Sequence, residues 1–228
     1  MARKSRSSAD RRLVAETARI LCEEAMVDYR LAKQKAVARL GLPTRGTPLP
    51  DNLEVRDAVV AYQRIYGGPA YEARLRRLRL AATKAMRLLA EFDPRLVGPV
   101  ISGAVTMTHH VQLQAYASTA ERVDVFLHNQ GIACEADDRD YRFADGQTRR
   151  IPLVRFAWRD VDIDVAVFDP DQRSRPPLSP VDGRPEQGLD LDQVMALLDG
   201  RSDGTTRRRR PADPAAREER SALTRDER

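Results

Sequence analysis

The spacing of apolar positions changes once along the chain, near residue 95, from helical periodicity to the alternation of strands. Residues 13–40, LVAETARILCEEAMVDYRLAKQKAVARL, are rich in Ala, Leu, Glu, Lys and Arg and hold neither Pro nor Gly. They predict one long helix or two broken ones, stopped by Gly41 and Pro43. After the loop GLPTRGTPLP, Asp51 with Glu54 three residues later reads as the capped start of a helix that ends before Gly67-Gly68. A third helix is predicted over about residues 70–91. Helical spacing gathers Leu75, Leu78, Ala82, Met86 and Leu89 on one stripe and Arg76, Arg77, Lys84 and Arg87 on the far side.

Beyond residue 95, RLVGPVIS and HHVQLQAYA read as strands, and Ser118-Thr119-Ala120-Glu121 reads as a capping box for a helix to about Asn129. Further strands are expected near 132–136, at RDYRF before the turn Asp145-Gly146, at RRIPLVRFAW and at VDIDVAVFD. PPLSPVDGRPEQG should be an extended loop, and LDLDQVMALL a short helix ended by Gly200. The fold class expected is α+β: an N-terminal helical region, then a mixed, mainly antiparallel sheet covered by helices on one face. The divisions expected are a basic disordered tail at 1–12, helices at 13–92, an α/β core at 93–170, loop and helix at 171–200, and a disordered Arg-rich tail at 201–228.

Alternation also sorts the sheet into faces. His110, Gln112 and Gln114 share one side of their strand, and Asp162 and Asp164 share one side of theirs. If Arg159-Asp160 is a two-residue turn, Trp158 faces Val161, Phe156 faces Ile163, Val154 faces Val165, and Arg155 lies across from Asp164. The helix at 119–129 would cover the dry face, leaving His110, Gln112, Arg155, Asp162 and Asp164 toward solvent or a cleft. Two carboxylates at i and i+2, about 7 Å apart at the backbone, can reach one hard cation such as Mg²⁺. The plainer alternative is a solvated face with an Arg155–Asp164 ion pair.

The formal net charge of +5 is uneven: residues 1–12 hold +4, residues 201–228 hold +3, and the stretch between holds −2. The case for a nucleic-acid partner therefore rests on Arg76, Arg77, Lys84 and Arg87 and on the tails. Arg supplies 35 of the 39 basic residues, a bias that fits either phosphate recognition or GC-rich coding. No apolar run approaches the roughly 20 residues that cross a bilayer, and the first residues lack the apolar core of a signal peptide, so a cytoplasmic location without membrane partners is expected. Cys22 and Cys134 lie far apart and read as reduced thiols. Three histidines, a missing GxSxG elbow and a missing Walker loop exclude the commoner zinc, serine-nucleophile and P-loop chemistries.

Over about residues 26–200, the segments DYRLAKQKAVARLG, LVGPVISGAV, HHVQLQAYA, VDIDVAVFDP and PPLSPVDGRP resemble the nucleotidyltransferase superfamily, with its DNA polymerase beta-like fold, and in particular its small bacterial nucleotidyltransferase-like members. The resemblance implies transfer of a nucleotidyl group from a nucleoside triphosphate, with Mg²⁺ held by carboxylates. It puts Gly103-Ala104 at the Gly-Ser position that touches phosphate, His110 and Gln112 at the Asp-x-Asp positions, and Asp162 or Asp164 at the third carboxylate. The site it implies has Asp162 and Asp164 as metal ligands, His110 beside them in catalysis, and Gly103, Ala104, Gln112 and Arg155 on the nucleotide. Neutral His110 and Gln112 do not replace two anionic ligands, which leaves competence open. Two alternatives stand beside transfer: a non-catalytic nucleic-acid or nucleotide-binding protein on the same scaffold, and a helical protein-interaction module.

Overall fold

The computed structural model describes residues 8–200. Helices α1 (Ser8–Glu23), α2 (Tyr29–Arg39) and α3 (Asn52–Tyr66) precede a longer α4 (Gly68–Leu88). The strands are β1 (Arg95–Val97), β2 (Val111–Tyr116), β3 (Glu135–Arg142), β4 (Thr148–Trp158) and β5 (Val161–Phe168), with helices α5 (Pro99–Ser102) after β1, α6 (Ala120–Asn129) after β2 and α7 (Leu191–Leu198) at the end. The class is α+β. The first stretch forms two helices because Asp28 caps a new start, its carboxylate accepting the amides of Arg30 and Leu31. Helix already begins at Ser8, so the polar start expected over 1–12 is partly helical; residues 1–7 and 201–228 lie outside the described residues. The cap expected at Asp51 is present, its side chain accepting the amide of Glu54.

The sheet order is β1-β2-β5-β4-β3, with β2 and β5 parallel and the other pairs antiparallel. The β4–β5 hairpin has the expected register: Trp158 opposite Val161, Phe156 opposite Ile163, Val154 opposite Val165 and Arg155 opposite Asp164. Of its two turn residues only Arg159 takes a positive φ, 57°, which fits a type II′ turn. The strand expected over RLVGPVIS ends at Val97, because Gly98 adopts φ 77°, ψ −157° and turns the chain into α5. The two strands expected near 132–143 are one continuous β3. The box expected at Ser118 does not form: Thr119 is the last extended residue and makes no side-chain cap bond, which leaves Glu121 one position short of the box.

One face of the sheet is dry, and α4 is its main cover, with α6 and α7 beside it. Leu75, Leu78, Met86 and Leu89 of the predicted stripe are buried there with Val123, Leu127 and Val194. Each such side chain contributes about 1.5–3 kcal/mol relative to exposure. Helices α1–α3 hold a second core that takes in Ala104, so the helical region expected as one unit divides between two cores at the α3–α4 junction. The opposite face is polar only at one end. At the other, Phe143, Ile151, Leu153, Ala166 and Phe168 form a small apolar cluster with Tyr116 and Tyr141.

Gly98 decides where β1 stops. Its backbone lies in a region essentially closed to L side chains, and an added Cβ would sit 2.5 Å from the Gln112 amide oxygen. Gly98→Ala should lower stability by about 1–3 kcal/mol in urea unfolding. A variant as stable as the parent would contradict this reading of the turn.

Candidate functional site

The segment between β1 and β2 delivers His110 to the head of the sheet, and side chains of α3 and α4 hold it in place. The Arg79 guanidinium donates to the carbonyls of Val100 (3.2 Å) and Ile101 (3.0 Å). Tyr71 donates to Gly103 (2.8 Å) and Gln63 to Val105 (3.0 Å). Arg74 reaches Thr106 (3.1 Å), Met107 (2.5 Å) and His109 (3.2 Å). Neither arginine forms a salt bridge among the described residues, and burial pulls both below their ordinary pKa, against the more distant attraction of Glu72 on Arg79. His109 closes the turn: its Nδ1 accepts the Thr106 amide (2.9 Å) and lies 2.8 Å from the Thr106 hydroxyl. Burial, then the charges of Arg74 and His110, push its imidazole down to about 4, so it is neutral, with its proton on Nε2.

His110 follows with Nε2 3.6 Å from an Asp162 oxygen and Nδ1 3.7 Å from an Asp164 oxygen. The two aspartates differ sharply: the side chain of Asp162 is 66% exposed and that of Asp164 only 5%. Asp164 is not turned to solvent as expected, because two arginines close over it. Arg139 of β3 donates to one of its oxygens at 2.7 Å and Arg155 of β4 to the other at 3.1 Å. Arg155 also pairs with Asp137 at 2.8 Å. Burial works against the charge on Arg139, but the Asp164 bond and the neighbouring Tyr141 outweigh it and hold the guanidinium above its ordinary pKa.

The structure brings together His110, Gln112, Arg155, Asp162 and Asp164 at the open end of the sheet, since Gln112 pairs with Asp164 across β2 and β5. It does not bring Gly103 and Ala104 there. Gly103 ends α5 at φ 84° with its carbonyl on Tyr71, and Ala104 turns into the core of α1–α3. Arg76, Arg77, Lys84 and Arg87 are exposed on α4, as predicted. Two of the four are engaged, Arg77 by Asp160 at 2.6 Å and Arg87 against the Met195 sulfur at 3.3 Å. Sequence reasoning missed Arg139 and Asp137, although the alternation of EADDRDYR places Asp137, Arg139 and Tyr141 on one side of a continuous strand.

No family model, curated protein or solved structure matches the chain. Among the described residues, no helix is long and apolar enough to cross a membrane. Mg²⁺ does not fit the donor set. Both Asp164 oxygens already accept from guanidiniums, His110 and Gln112 offer no anionic oxygen, and Asp162 alone is open. No group of three His, Cys, Asp or Glu side chains among the described residues is placed to hold a metal ion.

Replacing each aspartate separates an ion-paired role from a metal-ligand role. Asp164→Asn should destabilise the protein by about 1.5–3 kcal/mol, because it strips half-buried Arg139 of its counter-charge and Arg155 of one of its two, Asp137 remaining, while Asp162→Asn should stay within about 0.5 kcal/mol. A metal-free ligand pair would behave oppositely, with either substitution relieving repulsion and raising the melting temperature.

Proposed function

We propose that this chain is a nucleotidyltransferase-like protein that binds a nucleotide through its phosphates without transferring the nucleotidyl group. The observation that carries the reading is the closure of Asp164 between Arg139 and Arg155, at the place the resemblance gives to the third carboxylate. Both oxygens of that carboxylate accept from guanidinium groups. Guanidinium forks bind phosphate oxygens bidentately, and Arg155 and Arg139 keep 40% and 34% of their side-chain surface open to a ligand. Asp137, itself 43% exposed, is the counter-ion a phosphate would displace from Arg155. His110, between Asp162 and Asp164, can donate an imidazole N–H to the same ligand.

Calorimetric titration with ATP, GTP, CTP and UTP in EDTA tests this. Saturable binding without metal is expected for at least one nucleotide, weakened about tenfold or more in Arg155→Met and unchanged or tighter in Asp162→Asn. Nucleotidyl transfer that appears with Mg²⁺ or Mn²⁺ and disappears in Asp162→Asn would overturn the proposal.

A further inference from the structure

Residues 176–190 cross the sheet from one edge to the other on the side opposite α4. At the β3 edge the Leu178 amide donates to the Arg142 carbonyl at 2.7 Å, and at the β1 edge Leu189 and Leu96 exchange both backbone bonds at 2.9 and 2.8 Å. Between these anchors the strap folds on itself, Ser179 bonding Arg184 at 2.7 Å and Glu186 bonding Pro177 at 2.8 Å. Asn52 of α3 donates to the Pro180 carbonyl at 2.7 Å. Gly188 packs so closely on β1 that an added Cβ would lie 2.6 Å from the Arg95 Cβ. At the middle of the strap the Glu186 carboxylate points down to Gln114, a side chain only 2% exposed, and accepts its amide at 3.3 Å.

Among the described residues no cation compensates this carboxylate. Asp182 on the strap carries the same charge, and Tyr141 is its ionisable neighbour on β3. On β1, Arg95 lies across from Gln114, but its guanidinium is taken by Asp93 at 3.2 Å and Asp190 at 3.6 Å. β5 and β4 present Ala166 and Leu153 at this level. Lys33 of α2 stops at the Asn52 side chain. A half-buried carboxylate with no counter-ion among the described residues is favoured as the neutral acid over the anion.

We propose that residues 177–188 form a pH-sensitive cover on the sheet, closed over Gln114 when Glu186 is protonated and released when Glu186 ionises, so that Gln114 of β2 is uncovered. This goes beyond the nucleotide-binding reading and does not depend on it. Burial, and then Asp182, raise the Glu186 carboxyl from an ordinary 4.5 to about 7. Closure is therefore at full strength below about pH 4.5, weakens as pH rises toward about 7 and is constant above that. His109 acts in the opposite sense: held neutral with its pKa at about 4, it gives stability that is complete above the ordinary 6.5 and lost as pH falls. Global unfolding mixes the two, so the readout must be local.

Amide hydrogen exchange on the full chain, corrected for intrinsic rates, provides it at about pH 5 and about pH 7.5. Protection at Leu178, Glu186 and Leu189 should fall about tenfold or more between the two, while the β4–β5 amides hold theirs. Glu186→Gln should keep the strap protected at both. Asp182→Asn, which leaves Glu186 in place and removes the like charge, should shrink the fall. Equal protection of the parent at both pH values, or a fall of the parent's size in both variants, would overturn the proposal.

Discussion

Everything at the open end of the sheet depends on how the irregular segment between β1 and β2 satisfies its backbone. Seven of its carbonyls, from Val100 to His109, accept hydrogen bonds from Gln63, Tyr71, Arg74 and Arg79. A non-repetitive segment packed against a core leaves its polar backbone groups unpaired unless side chains supply partners, and each unpaired group costs about 1–3 kcal/mol. A guanidinium answers this economically, since its fan of N–H donors reaches two or three carbonyls at once. Helix α4 thus has two tasks on two sides. Its apolar stripe covers the dry face, and its flanking Tyr71, Arg74 and Arg79 fix the segment that ends in His110.

That fixed segment sets what surrounds His110. β2 enters the sheet parallel to β5, so Gln112 stands beside Asp164 and His110 beside Asp162. Across the other side of β5, the β4 and β3 strands bring in Arg155 and Arg139 and close over Asp164. The result is a face of alternating charges with one buried carboxylate at its centre. Farther along the same face the strap lies over β2, where Glu186 accepts from Gln114 and, among the described residues, meets no such arginine. Two carboxylates on one face of the sheet, Asp164 buried and Glu186 half-buried, thus meet opposite electrostatics. One is neutralised by guanidiniums, and the other is favoured in its protonated form.

Much of this was legible in the residues. The hairpin register followed from period-two alternation on either side of a two-residue turn, and the stripe on α4 followed from helical spacing, because both depend only on which side chains avoid water. Three things were not legible. The end of β1 rests on a backbone angle at Gly98 that the apolar run RLVGPVIS conceals. The burial of Asp164 needed Arg139, and breaking β3 into two pieces scattered the alternation that would have put Arg139 on that face. Arg74 and Arg79 fell outside both the apolar stripe and the basic face read on that helix, and their partners are carbonyls of a distant segment, which no pattern along one helix reveals.

The claim that α4 guanidiniums hold the segment leading to His110 is tested most directly at His109, whose depressed pKa depends on that segment staying closed. In Arg74→Lys the positive charge remains, but one ammonium cannot span the carbonyls of Thr106, Met107 and His109. The measurement is an NMR titration of the His109 ring in that variant. The account predicts a rise from about 4 toward the ordinary 6.5 as the turn loosens and water reaches the imidazole. A ring that still titrates near about 4 would contradict it.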